Sequence, residues 1–291
     1  MPLRADPPVA DGHVHFFSRR FFELLGGQSL SLSDIEAKLG WTMPSADPVE
    51  LARTWAEELD RHSVARAALI ASIPGDEASV LAAKAAFPDR FYAYAMVNPT
   101  DPGAAVAPGL NAICLFPAMH RYSINDPRVE PLLDQAAAAR CAVFVHCGVL
   151  TVGIRKKLGL ASPFDMRFSN PLHLHPIALR FPGVPFIVPH FGAGYFREAL
   201  MLASLCPNVY LDTSSSNSWM QYEGLDLGTV FRRALDVVGP ERLIFGSDSS
   251  FFPRGWVRSI LEIQLDVLGS LGVPVADTRL VLSGNLDRLF S

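Results

Sequence analysis

His13 and His15 stand two residues apart in VADGHVHFF, an apolar run that reads as a β-strand. In a strand, residues two apart leave the same face at roughly 6.5 Å spacing, so two imidazoles there can share one ion. The pair alone is equally consistent with two structural histidines. Three more residues alter the balance. His146 closes the run CAVFVHCG, His190 closes VPFIVPHFG and Asp248 closes RLIFGSD, each just before the chain turns into a loop. If these runs are parallel strands of one sheet, four histidines and a carboxylate meet on one rim. Imidazole nitrogen and carboxylate oxygen suit zinc or a similar divalent ion, with water completing the shell. His13, His15, His146 and Asp248 are the expected ligands. The competing explanation makes each a satisfied core or cap residue, yet barrel interiors favour branched apolar side chains, which argues against five such accidents on one rim.

The elements that must position them are short apolar runs separated by helical stretches. VADGHVHFF, RAALIAS, FYAYAMVNP, NAICLFP, CAVFVHCG, VPFIVPHFG, NVYLDTSS and RLIFGSD read as buried strands. Helices are predicted over 48–62, 76–87, 126–140, 171–181, 195–205, 227–238 and 256–271. Asp126-Pro127 and Asn170-Pro171 each offer a side-chain acceptor followed by proline at a helix start. The stretch PTDPGAAVAPGL after Asn98 is too rich in proline and glycine for a long helix. The alternation fits an α/β fold, a (β/α)8 TIM barrel, as a single domain over residues 1–291. Segments 18–48 and 150–170 are longer than an ordinary connection, so long loops follow strands 1 and 5 and are the expected lids over the active face.

DGHVH, FVHCG, VPHFGAG, FGSD and the closing GNLDRLF, in this order across essentially the whole chain, resemble the amidohydrolase superfamily. Within it the match is to the amidohydrolase-related family, which holds both muconate-semialdehyde decarboxylases and lactone hydrolases. The resemblance implies the same ligands, His13, His15, His146 and Asp248, and makes His190 the catalytic histidine beside them. Many superfamily members carry a strand-four lysine that becomes carboxylated and bridges two metals; here that strand reads AICLFP, with Cys114 in the lysine's place. One divalent ion, zinc or alternatively manganese, is then expected. A Cys114 thiolate bridging two ions is the other option, against the usual inertness of a buried cysteine.

The expected function is hydrolysis of a small-molecule lactone, amide or related carbonyl compound by metal-activated hydroxide, with Asp248 handling the proton and His190 polarising the carbonyl. A metal-dependent decarboxylase of an aromatic or muconate-type carboxylate is the first alternative. A barrel that binds a ligand without catalysis is the second. Asp11 shares the inward face with the histidine pair and is expected to accept a hydrogen bond from a ligand histidine and set its tautomer, with Asp212 doing similar work. A structural hydrogen bond explains either as well. Arg121, Arg155, Arg167, Arg197 and Arg254 fall near strand-end loops, where a guanidinium can clamp a substrate carboxylate; surface solvation explains most of them equally. Phe16, Phe17, Phe21 and Phe22 either wall an apolar pocket or pack a loop. His173 and His175 fall in a helix start, where residues two apart do not face each other and do not chelate jointly.

Composition narrows the partners. Apolar residues make up 49% of the 291, charged residues 19%, and the formal net charge is -4 with no basic run. That pattern excludes a nucleic-acid or anionic-membrane footprint. No apolar stretch approaches a membrane span or a signal peptide, so a cytoplasmic protein is expected. Cys114, Cys141, Cys147 and Cys206 show no Cys-x-x-Cys pairing and sit mostly in apolar runs, which predicts buried reduced thiols. The expected partner is a small-molecule substrate; a homo-oligomer is compatible with this reading.

Overall fold

Runs of alanine, valine, isoleucine and phenylalanine with no polar alternation need cover on both faces, and a parallel barrel supplies it. The computed structural model describes residues 8–27, 29–161, 164–214 and 217–291. Its strands are β1 (Val9–His15), β2 (Val64–Ala71), β3 (Phe91–Met96), β4 (Ala112–Leu115), β5 (Ala142–Val145), β6 (Phe186–Val188), β7 (Val209–Asp212) and β8 (Leu243–Ile244). They lie side by side in chain order, every pair parallel. The ring closes where the Gly12 N–H donates to the Phe245 carbonyl at 2.8 Å, His15 N–H to Ser249 O at 2.8 Å and Asp248 N–H to His13 O at 3.0 Å. This is the expected α/β barrel, its strands in the expected runs.

Alternate residues divide between two cores. On β2, Ala67, Leu69 and Ala71 face the helical shell while Ala68 and Ile70 face inward. The interior is filled by small residues such as Ala10, Ala68, Ala112 and Ala142 set against Tyr94, Phe144 and Ile187. The closing GNLDRLF forms the helix Asn285–Phe290, which brings Leu286 into this interior. The Asn285 amide holds it there, donating to the carbonyls of Pro240 and Leu243 at 2.7 Å each.

The helices Pro48–Arg61, Glu77–Ala86, Phe196–Leu205 and Leu227–Val238 follow expectation, and no helix bridges β3 and β4. Two starts differ. The helix expected from 126 begins at Glu130, because Asp126 instead accepts the Arg128 N–H at 3.0 Å and its guanidinium, closing a turn. The segment expected as one helix over 171–181 is a 3-10 turn, Pro171–Leu174, followed by the helix His175–Arg180; Asn170 accepts the Leu172 N–H at 2.9 Å. The last predicted helix runs Arg258–Ser270.

Both long loops fold over the C-terminal end of the barrel. The first carries the helices Arg19–Gly26 and Leu32–Leu39, the second the helix Gly153–Leu158. Phe21, Phe22, Ile35 and Met43 from the first pack with Ile154 and Leu158 from the second in a core of their own. The two insertions therefore form one roof. All four cysteines are free and buried. Among the described residues no helix is long and apolar enough to cross a membrane.

Candidate active site

The site forms where strands run out into loops. His13 lies in β1 at 1% exposure, and its Nδ1 is 2.7 Å from Asp212 Oδ2 at the end of β7. A carboxylate only accepts, so His13 carries a proton on Nδ1, and Nε2 is the nitrogen that can turn to a cation once its own proton is given up. The same accounting settles His15. Ser72 Oγ, just past β2, donates to the Ile70 carbonyl at 3.0 Å, and therefore accepts from His15 Nδ1 at 2.6 Å. Both Nε2 atoms point toward Asp248, whose Oδ1 lies 3.0 Å from His15 Nε2 and 3.6 Å from His13 Nε2. Ligand atoms of His13, His15 and Asp248 all fall within 4.8 Å of one another, and this is the group of metal-ligating type found among the described residues.

His146 stands outside that triangle. Its ring stacks on Phe116, centroids 5.2 Å apart, and meets His190 edge-on at 5.5 Å. Its Nδ1 is buried with no hydrogen-bond partner. A buried nitrogen so left costs about 1–3 kcal/mol. His190 is held through Ser214, whose Oγ lies 2.9 Å from His190 Nδ1 and 3.0 Å from His13 Nδ1. One hydroxyl thus links the two histidines.

Backbone strain marks the same places. His190, Phe191, Ala193 and Asp248 have φ of 54°, 52°, 43° and 57°, left-handed values unusual for side-chain-bearing residues. The motif glycines make room for this. At Gly148, φ 77°, an added Cβ would collide with the carbonyls of Gly192 and Ala193. At Gly246 it would come within 2.8 Å of Asp212 Oδ1 and 2.9 Å of His13 Cβ. FVHCG and FGSD therefore need glycine so that adjacent strand ends can approach closely.

Electrostatics follows from burial and pairing. Burial presses the His13 pKa down, but the Asp212 charge and hydrogen bond, with Asp248 and Asp11 nearby, carry it up to about 9. Burial pushes Asp248 up, and the His15 hydrogen bond with the His13 charge overcomes this to hold it well below the usual carboxylate range. Burial lowers His190, and burial together with the His190 and His13 charges lowers His146. Two anions and His13 therefore sit beside neutral imidazoles.

Of the two roles open to it, Asp11 takes the structural one. It accepts the His13 backbone N–H at 2.9 Å, the Ser247 N–H at 3.0 Å, Trp256 Nε1 at 2.7 Å and the Ser247 hydroxyl. It touches no imidazole and ties β1 to the chain after β8; the tautomer of His13 is set by Asp212. Burial raises Asp11 to about 6 against these hydrogen bonds. Cys114 faces the interior outside the ligand triangle, its thiol pushed well up by burial, which disfavours a bridging thiolate.

A cavity of about 470 Å³ opens above these groups. Met96 and Phe116 wall it below; Phe17, Phe21, Trp41 and Ile154 roof it from the two insertions. Phe16 and Phe22 are packed away, so the phenylalanine cluster does both of the jobs open to it. Of the five arginines, Arg155 and Arg254 reach the cavity. Arg167 does not, because Asp165 grips its guanidinium at 2.6 Å, and Glu198 takes Arg197 in the same way at 2.6 Å. Arg121 is exposed at the left-handed end of the turn Pro117–His120, outside the lining. His173 and His175 lie outside it too. Ser72, Ser214, His120, Trp41, Lys157 and Phe251 went unnoticed in sequence. Ser72 and Ser214 follow strand runs directly, a signal shared with Asp248; Trp41 and Phe251 belong to no periodic pattern.

The family pattern described as Amidohydrolase matches residues 10–291. Among curated proteins, Protein fluG of Emericella nidulans is 35% identical over 86 residues, 30% of this chain and 10% of that protein. The chain thus matches about a tenth of that relative's length. Among solved structures, 5-carboxyvanillate decarboxylase LigW from Sphingomonas paucimobilis superimposes with a TM-score of 0.64 at 15% identity, covering 98% of this chain and 99% of that one. An amidohydrolase from Burkholderia multivorans solved with bound zinc also gives 0.64 at 15% identity, covering 97% and 99%. At such identities the likeness establishes the barrel.

Proposed function

Because the chain belongs to the amidohydrolase family, we propose that it is a metal-dependent hydrolase of a small-molecule lactone, amide or related carbonyl compound, working as a single barrel domain. The observation that carries this reading is the triangle of His13, His15 and Asp248, whose ligand atoms lie within 4.8 Å on the floor of a roofed cavity. The donor set fits a divalent cation, zinc first and manganese second: two imidazoles presenting Nε2, an ionised carboxylate and the unpaired Nδ1 of His146 close by. Bound there, the cation supplies a Lewis acid for a carbonyl oxygen and a water of lowered pKa.

The chain's own groups divide the remaining work. Asp248 stays ionised at any physiological pH and can take a proton from an attacking water and return it to the leaving group. His190, its pKa lowered by burial, accepts the Ser214 hydroxyl on Nδ1 and so carries its one proton on Nε2, from which it donates to a substrate oxygen on which negative charge develops. Asp212 and Ser72 hold the two ligand rings in the tautomers that face the cation.

Decarboxylation of an aromatic carboxylate is the second reading. It is favoured by the barrel shared with a carboxyvanillate decarboxylase and by the aromatic walls Phe17, Phe21 and Phe116. Here Asp248 and His190 would manage proton delivery to the carbon that loses carbon dioxide. A screen of metal-loaded protein separates the two: aryl lactones and N-acyl amides in ¹⁸O-labelled water, carboxylated phenols with carbon dioxide detection. Label in a new carboxylate supports hydrolysis, gas release supports decarboxylation, and turnover independent of added or chelated metal contradicts both.

A further inference from the structure

The two ends of the cavity differ in charge. Asp248 is the sole carboxylate of the lining among the described residues, and it is committed to the histidine pair. The lining also carries three cationic side chains, half-buried Arg155 and exposed Lys157 from the second insertion and exposed Arg254 from the loop after β8, and their exposure puts them at the rim. Elsewhere on the described surface guanidinium groups commonly meet a carboxylate: Arg66 with Asp287, Arg90 with Asp60, Arg128 with Asp126, Arg258 with Glu262. None of the three rim cations has an ion-pair partner among the described residues. Arg155 donates to the Ala161 carbonyl at 2.8 Å. Lys157 holds its ammonium 5.2 Å from the Trp41 ring centre and 5.7 Å from that of Phe251. Those rings stack on each other at 4.0 Å, joining the first insertion to the loop that carries Arg254.

We infer that the substrate is a dianion with an apolar or aromatic body, its reacting group at the His13–His15–Asp248 end and a second carboxylate or comparable acidic group held at the rim by Arg254, Lys157 and Arg155. The inference rests on the proposed metal site for the reacting end only. Desolvated aromatic walls suit the body, while unpaired cations at the mouth gain a charge-assisted partner only when an anion arrives. Their positions on the insertions and the β8 loop mean that the second acidic group also draws the roof onto the barrel.

The test uses 2-naphthoate and naphthalene-2,6-dicarboxylate, one ring system with one or two carboxylates, titrated calorimetrically into the zinc-loaded and the chelator-treated full chain. Zinc-loaded wild type should bind the dianion about tenfold or more tightly than the monoanion, the value of one charge-assisted contact. The double variant Lys157→Gln, Arg254→Gln should lose that advantage while binding the monoanion as wild type does. Arg155 is left in place because it also supports the lid loop. Arg167→Gln, which removes a charge outside the cavity, should change neither affinity. In chelator-treated protein both anions should depend on the rim alone and both weaken in the double variant. That last result without any effect of zinc would sink the metal reading and keep the rim. Equal binding of the two anions by zinc-loaded wild type, unchanged affinities in the double variant, or no binding of either, would overturn the inference.

Discussion

The floor and the roof of the cavity are built on different physics. On the floor most of the chemical groups are pinned by a named polar partner, His13 by Asp212, His15 by Ser72, His190 by Ser214 and the β1 backbone by Asp11, with His146 stacked on Phe116 instead. Strand ends of a closed barrel supply the frame, and left-handed residues beside glycines allow the ends to crowd together. The roof is held by a small apolar core, Phe21, Phe22, Ile35, Ile154 and Leu158, with its cations in no ion pair among the described residues. Geometry that must be accurate to fractions of an ångström sits on strands and hydrogen bonds. Geometry that must admit and release a ligand sits on side-chain packing that can open. If floor and roof carry the proposed reaction and substrate choice, each should be open to perturbation alone.

The largest expected effect is on the floor. Asp248→Asn keeps the shape and removes the proton acceptor, so turnover should fall on the order of 10²–10⁴-fold with little change in melting temperature; an active variant breaks the assignment. Asp212→Asn frees the His13 ring and should weaken metal affinity about 10–100-fold, measured by competition with a chromophoric chelator.

A pH series sharpens the same point. In chelator-treated protein, Asp212 and its neighbours hold the His13 proton up to about 9 against an ordinary value of 6.5, despite burial. A raised histidine contributes stability that is full below 6.5 and lost as pH rises through about 9. The chelator-treated protein should therefore lose melting temperature over that window. Zinc must displace the same proton, so its apparent affinity should climb by up to about tenfold per pH unit below the His13 pKa. A flat zinc affinity from pH 6.5 to 9 would contradict the pairing.

On the roof the expected effects are smaller in chemistry. Ile35→Ala removes a fully buried side chain and should cost about 2–5 kcal/mol of local stability. Hydrogen exchange should rise over residues 19–39 and 153–158 while metal content stays constant. Trp41→Ala should raise KM several-fold and leave kcat near wild type; a fall in kcat with unchanged KM would tie the roof to the chemical step.

What could be read from sequence follows this division. Ligand candidates on the floor sit at the ends of apolar runs, so a one-dimensional pattern carries them: His13, His15, His190 and Asp248 were legible, as were all eight strands. His146 was legible as a residue of the rim, but its place just outside the ligand triangle depends on how its ring stacks on Phe116, which no spacing encodes. Asp11 and Asp212 look alike in sequence, both acidic and inward; only strand register decides that one meets an imidazole and the other the chain after β8. On the roof, lengths of 18–48 and 150–170 announced insertions, yet their contacts are between distant segments. Trp41 stacking on Phe251 and Lys157 across both rings are tertiary facts. Arg155 and Arg254 could not be told from Arg121 and Arg167 until Asp165 was seen gripping Arg167.

The most direct test of the central claim is metal content by plasma mass spectrometry, on full-length chain purified without added metal, compared with the double variant His13→Ala, His15→Ala. The account predicts one equivalent of zinc or manganese in the wild type and its loss in a variant that still melts cooperatively. No bound ion and no uptake when zinc or manganese is offered, or an ion retained by the double variant, would contradict it.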